Sequence, residues 1–246
     1  MRCLMCGKQM GYTSLRDIFD GADPLCSLCR KGWRKDEVSF LFEGISAHAS
    51  YLYNDAFMEA LIQYKELGDE ALKDVFLAEV RTRFRLRYTG YTILCMPSSQ
   101  EKQNQRGFSH LARMFESTKL PVMEPFVKIE DSEQKHQGYY GRKRMEHGIA
   151  LKEGVKLPHK ILLADDTITT GSTLAGALHC LDLKQHDIRI YTVSYNRHLI
   201  LKRCFDLKDR LFFGRPEIAK EGFIRYNNVA VKRKEEELWQ ISLPDS

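Results

Sequence analysis

The chain is 246 residues long, 43% apolar and 11% aromatic, which is enough to bury a sizeable core. Its 38 Lys and Arg against 33 Asp and Glu leave a net charge of +5, compatible with a phosphate-bearing partner but too small to identify one. Composition excludes the fibrous, disordered and disulfide-scaffold classes. There is no run of eighteen apolar residues, and Met1-Arg2-Cys3-Leu4 opens no signal-peptide stretch, so neither a span nor export is expected and the expected location is the cytoplasm.

Four of the seven cysteines fall in the first thirty residues. Cys3-Leu4-Met5-Cys6 and Cys26-Ser27-Leu28-Cys29 read C-x2-C…C-x2-C with nineteen residues between the pairs, the spacing of a four-thiolate zinc site. Two intervening residues let one tight turn present both sulfurs to an ion, and Gly7 after Cys6 supplies backbone freedom. The alternatives are two disulfides, which need an oxidising compartment, or a redox C-x-x-C, which normally occurs once. Four thiolates leave no open coordination position, so a bound Zn2+ is expected to be structural. Cys95, Cys180 and Cys204 read as core thiols.

Three regions are expected: a metal clip at 1–35, a main domain at 36–195 and an extension at 196–246. Val38 to Tyr53 suits strands flanking a turn. Asn54 or Asp55 is a plausible N-cap for a helix with Phe57, Met58, Leu61 and Ile62 on one face. Gly68 breaks it, and Leu72, Val75, Phe76, Glu79 and Val80 continue at helical spacing. Tyr91 to Met96 reads as a buried strand stopped by Pro97. Ser98 to Gly107 reads as a polar loop before a helix from about Ser109, and 128–148 as a second loop. Lys160–Ala164, Ser172–Leu183 and Ile188–Ser194 form a strand–helix–strand unit, which implies a parallel α/β sheet with a right-handed crossover.

The most informative stretch is Ile161 to Leu174. An apolar strand runs into Asp165 and Asp166, and a hydroxyl-rich turn, Thr169-Thr170-Gly171-Ser172-Thr173, opens a helix. Hydroxyls and backbone N–H groups at a helix N-terminus suit a phosphate, and Gly171 lets the chain wrap closely around it. The acids would repel a phosphate, so they are expected to face vicinal hydroxyls or a divalent cation; a ribose 5-phosphate fits both halves. The plainer alternative is that the acids cap a helix and the threonines are its first turn. No Walker A or G-x-G-x-x-G motif is present.

These residues resemble the signature of type I phosphoribosyltransferases, in which two acids hold the ribose diol and a T-T-G-x-T turn holds the 5-phosphate. Further segments resemble the ComF family: Tyr53-Asn54, Tyr64-Lys65 with Gly68-Asp69, Met96-Pro97-Ser98-Ser99, Gln105-Arg106-Gly107-Phe108, and the four-cysteine clip ahead of the main domain. Ser109-His110 departs from that family's usual Asn-Gln. Gln137 and Arg144 match a family loop only with a register shift of one. The resemblance implies a phosphoribosyltransferase-like parallel sheet flanked by helices, and phosphoribosyl pyrophosphate with Mg2+ as ligand. Pro97, Ser98 and Arg106 would lie on the pyrophosphate side. No general base is assignable, so a retained binding fold and an active transferase both remain open.

ComF resemblance also implies handling of incoming single-stranded DNA in natural transformation, beside a helicase-like ATPase. Cationic clusters with aromatics are the physical requirement. The candidates are Arg30, Lys31, Trp33, Arg34 and Lys35 by the clip, and Tyr139, Tyr140, Arg142, Lys143 and Arg144 in the loop; each is equally readable as a solvated face. The extension carries apolar residues such as Phe205, Phe223 and Trp239 and is expected to pack in part.

Overall fold

The computed structural model describes residues 1–11, 22–129 and 148–197, together with four short strands beyond them. The chain divides into two compact units, Met1–Ile200 and Leu201–Ser246.

The first unit is built on a six-stranded mixed sheet. A short helix α1 (Ser27–Gly32) follows the second cysteine pair. Strands β1 (Lys35–Phe42) and β2 (Ile45–Leu52) then form an antiparallel hairpin, with Phe42 opposite Ile45. The alternation of Ala47, Ala49 and Tyr51, all at most 1% exposed, turns one face of β2 into the core, as period-two patterning requires.

Helix α2 (Asp55–Lys65) starts where the Asn54 side chain accepts the Phe57 N–H at 3.0 Å. It buries Phe57, Ala60, Leu61 and Tyr64, the i, i+3, i+4, i+7 stripe. The stretch expected to continue helically from Leu72 instead begins as a 3-10 turn, Glu70–Asp74, because Asp69 accepts the Ala71 N–H at 3.2 Å and tightens the chain. Helix α3 starts only at Arg81 and ends at Arg87.

Next come β3 (Thr92–Cys95), α4 (Gln100–Arg106), α5 (His110–Glu116), β4 (Val122–Met123), and the antiparallel ribbon of β5 (Phe126–Lys128) with β6 (Ile149–Leu151). Helix α4 occupies what the sequence suggested was loop. It is capped at both ends: Ser99 Oγ accepts the Lys102 N–H, and Gly107 closes it at φ +77°.

Strands β7 (Lys160–Ile168) and β8 (Asp187–Tyr195) flank helix α6 (Ser172–His179). The sheet order is β1-β2-β8-β7-β3-β4; every pair except the β1/β2 hairpin is parallel. The strand does not stop at the acids: Asp165, Asp166 and Thr167 stay in β7, held by pairing with β8 out to Ile168 opposite Tyr195 and by the 2.7 Å Thr167–Ser194 hydroxyl contact. Helix α6 ends at His179 rather than Leu183, because the Cys180 N–H turns back to the Ala177 carbonyl and Asp182 caps the Lys184 N–H.

Unit two holds a four-stranded antiparallel sheet, β12-β11-β10-β9, built from β9 (Glu217–Ala219), β10 (Phe223–Tyr226), β11 (Val229–Lys232) and β12 (Gln240–Ser242). Among the described residues no helix is long and apolar enough to cross a membrane.

Candidate functional site

Two sites stand out in the first unit. At its N-terminus the sulfurs of Cys3, Cys6, Cys26 and Cys29 all lie within 4.8 Å of one another. The Cys6 and Cys26 sulfurs are 3.7 Å apart, close to the roughly 3.8 Å between thiolates of a tetrahedral site with Zn–S near 2.3 Å. A disulfide would need about 2.0 Å. The first knuckle is shaped by the Gly7 N–H donating to the Cys3 carbonyl at 2.9 Å, with Gly7 at φ +70°. Burial raises the Cys3 thiol, but backbone N–H groups of Cys26, Cys6 and Met5 outweigh it and lower the group to about 6. The four cysteines fit a structural zinc site.

The basic segment after the clip turns inward. Arg30 donates to Asp23 at 2.7 and 2.6 Å and to the Val75 carbonyl at 2.9 Å. Trp33, 4% exposed, packs against Phe57, Tyr51 and Phe76 with ring centroids 4.8–5.5 Å away. These two residues join the clip to the main sheet and are not free to stack on bases; Lys31, Arg34 and Lys35 remain exposed. The other proposed cluster, Tyr139 to Arg144, lies outside the described residues, as do Gln137 and Cys204. Cys95 and Cys180 are buried thiols.

The second site is a cavity of about 410 Å3 at the C-terminal ends of β3 and β7, the edge where parallel sheets present ligands. It is lined by Asp165 and Asp166 at the end of β7, by Pro97, Ser98 and Ser99 after β3, and by Thr169 and Thr173 of the turn into α6. Lys65, Lys102 and Lys128 reach it from α2, α4 and β5.

The two acids are unlike. Asp166 is 5% exposed, and its Oδ2 accepts Lys65 Nζ at 2.5 Å and His110 Nε2 at 3.0 Å. Burial pushes its carboxyl up, but His110 and Lys65 overcome that and hold it ionised below the usual carboxylate range. Asp165 makes no such ion pair; desolvation and the neighbouring Asp166 charge push it up.

Arg106, through NH1, lies 2.9 Å from His110 Nδ1. A guanidinium can only donate, so Nδ1 accepts and the proton sits on Nε2, facing Asp166. Burial lowers the His110 imidazolium accordingly, only partly offset by Asp166. Arg106 also donates through Nε to the Lys65 carbonyl, and Tyr64 O–H to the His110 carbonyl at 2.6 Å. One network thus ties the ends of α2 and α4 and the start of α5 to the β7 acid.

No family model matches the chain. Among curated proteins it is similar to Competence protein ComFC of Streptococcus pneumoniae (strain ATCC BAA-255 / R6), 27% identical over 199 residues, covering 71% of this chain and 90% of that protein. It is also similar to Competence protein ComFC of Bacillus subtilis (strain 168), 28% identical over 133 residues, covering 53% of this chain and 55% of that one. Both matches support membership of the ComF family.

Of the residues that the sequence offered for this cavity, Asp165, Asp166, Thr169, Thr173, Pro97 and Ser98 line it together. Thr170 and Ser172 do not; their hydroxyls face each other at 3.1 Å on the exposed shoulder of the turn. Arg106 does not line it either, being occupied by His110 and the Lys65 carbonyl. Gly171 has a different reason from the one the sequence suggested. At φ +75°, its missing Cβ would lie 2.4 Å from the Phe42 ring, so the core needs the room that a side chain would fill. Lys65, Lys102, Lys128 and His110 were not readable as site residues, because each comes from a different element; the Tyr64-Lys65 and Gly107-Phe108 segments are the nearest sequence signals.

Asp166 Oδ2 is taken by Lys65 and His110 and Asp165 Oδ1 accepts the Asp166 N–H at 2.9 Å, so one oxygen of each acid is left for a ligand; one or two carboxylates beside a ligand's phosphates are the usual donors to Mg2+.

Proposed function

We propose that this ComF-family chain acts in DNA uptake during competence, in the cytoplasm, and that its cavity binds a 5-phosphorylated ribose such as phosphoribosyl pyrophosphate. The observation that carries the ligand is the presence, in one cavity, of the Asp165 carboxyl, outside any ion pair, together with hydroxyls of the turn and three lysines. Thr169 and Thr173, with the N–H groups of the turn at Thr170 and Gly171, take the 5-phosphate at the start of α6. Asp165 accepts hydrogen bonds from the ribose diol. Lys65, Lys102 and Lys128 face the second anionic group beside Pro97 and Ser98, the role that the resemblance gave to Arg106; Arg106 and His110 keep Asp166 and Lys65 in place instead. Residues 36–195 form the ligand domain, and 1–35 a zinc-held clip packed on it. The DNA role follows from the competence proteins that the chain resembles, and the helicase-like partner follows from the family resemblance alone.

Calorimetric titration with phosphoribosyl pyrophosphate and with ribose 5-phosphate tests the cavity. Saturable binding that Asp165→Asn weakens at least ten-fold is expected; no heat from the wild type overturns the ligand. Pyrophosphate release on adding a panel of nucleobases would convert the binding site into a transferase.

A further inference from the structure

A second face of the first unit carries charge that the cavity does not use. Helix α3 reads Arg81-Thr82-Arg83-Phe84-Arg85-Leu86-Arg87, with no acid among its residues. Phe84, and Tyr88 one turn later, are 3% and 2% exposed and fix the helix to the sheet, leaving Arg83, Arg85 and Arg87 on the surface. Arginines four apart, 81 with 85 and 83 with 87, put like charges on neighbouring turns, which disfavours the helix unless an anion answers them. Glu37 answers Arg83, at 2.7 and 2.9 Å. Among the described residues no carboxylate pairs with Arg85 or Arg87.

The cationic face continues onto the sheet. Arg189 of β8 lies 4.9 Å from the Tyr91 ring centroid and Lys160, the first residue of β7, 5.6 Å from it. The Tyr91 and Tyr88 rings meet edge to face at 6.1 Å and so connect these cations to the end of α3. The nearby acid, Asp187, is held by the Tyr91 O–H at 2.6 Å.

We propose that Arg85, Arg87, Arg189 and Lys160 form a surface for the phosphodiester backbone of a DNA single strand, separate from the cavity. The choice of DNA rests on the DNA-uptake reading above. The surface reads phosphates rather than bases: the rings beneath the cations, Tyr88 and Tyr91, are 2% and 4% exposed and offer no platform for stacking. It is also distant from the cavity's acids, since Lys160 and Asp165 are five residues apart along β7, roughly 17 Å at 3.3 Å per residue.

The test is fluorescence anisotropy of labelled oligo(dT) across a salt series with the full chain, comparing the wild type with the triple variant Arg85→Gln/Arg87→Gln/Arg189→Gln. Wild-type binding with a steep salt slope is expected. The triple variant should bind at least ten-fold more weakly near about 50 mM salt and lose about 2 from the slope, three contacts at ~0.7 each on single strands. Its unfolding midpoint and its titration with ribose 5-phosphate should match the wild type, showing an intact fold. Asp165→Asn should leave DNA binding unchanged. Unaltered DNA binding by the triple variant overturns this surface while sparing the DNA-uptake reading; no DNA binding by the wild type overturns both. Displacement of DNA by phosphatidylglycerol vesicles would reassign the face to a membrane and equally overturn it.

Discussion

Gly171 and His48 show how single residues set conditions that their neighbourhood in sequence does not reveal. Gly171 combines a left-handed backbone with a Cβ position 2.4 and 2.7 Å from two Phe42 ring atoms. Left-handed φ costs an L-residue about 1–2 kcal/mol, and an overpacked core position about 1–3 kcal/mol. Gly171→Ala should therefore lose about 2–5 kcal/mol in urea unfolding and weaken ribose 5-phosphate binding, because the hydroxyl turn moves with it. His48 is half-buried on β2, its Nδ1 3.1 Å from Ser39 Oγ of β1 and its ring 6.0 Å from that of Tyr191. Desolvation and then the Arg87 charge lower its imidazolium to about 4. With the folded value below the unfolded ~6.5, the unfolded chain takes up the proton first, so stability is whole above pH 6.5 and falls as pH drops toward 4. Asp165, raised by burial and by Asp166, has the opposite sign: its contribution is whole below the unfolded carboxylate value and lost as pH rises through its folded value. The comparison that isolates His48 is the difference in unfolding free energy between the wild type and His48→Gln. It should shrink by as much as about 3 kcal/mol from pH 7 to pH 4, and a pH-independent difference would contradict a half-buried, neutral ring.

At the scale of elements, the clip, β3, β7, α6 and β8 were readable because each has a strong local signal: paired cysteines, apolar runs, and a turn rich in hydroxyls. Helix α4 was not, because Gln100-Glu101-Lys102-Gln103-Asn104-Gln105-Arg106 is polar all round and gives no period; only its Ser99 and Gly107 caps mark it. The extent of β7 was hidden for a related reason. A strand paired on both sides can carry Asp166 when partners from other elements satisfy it, and those partners are Lys65 and His110; Asp165 beside it opens onto the cavity and accepts the Asp166 N–H. Contiguous motifs delivered the acids and hydroxyls of the cavity; its cations come from α2, α4 and β5 and needed the fold. The basic run after Cys29 misled in the same way, since Trp33 and Arg30 are anchors for the clip. That anchoring makes metal removal readable. Structural zinc contributes on the order of 10 kcal/mol to folding a small element. Chelation, or Cys26→Ser, should expose residues 1–35 to limited proteolysis and shift Trp33 fluorescence to the red, while ribose 5-phosphate still binds. Unchanged cleavage with less than one zinc per chain would mean that the clip folds without metal.

For the whole molecule, the division after Ile200 separates everything assigned here from the final 46 residues. The cavity walls, the four cysteines and the α3 arginines all belong to the first unit. Charge divides likewise: Leu201–Ser246 holds +2 of the net +5, leaving +3 on the first unit. A mild overall excess therefore understates the local field of α3, where four arginines fall within seven residues, and it is local rather than net charge that releases counterions from DNA. A chain ending at Ile200 should consequently melt within about 4 °C of the full chain, the shift that ~1 kcal/mol makes in a domain of this size. It should bind ribose 5-phosphate with unchanged affinity and keep the full salt slope on oligo(dT). If the truncated chain keeps its melting point and its cavity ligand but loses the slope, the DNA contacts lie in the second unit and not on α3. If the ligand is lost as well, the 46 residues are part of the cavity's support, and the two units fold as one.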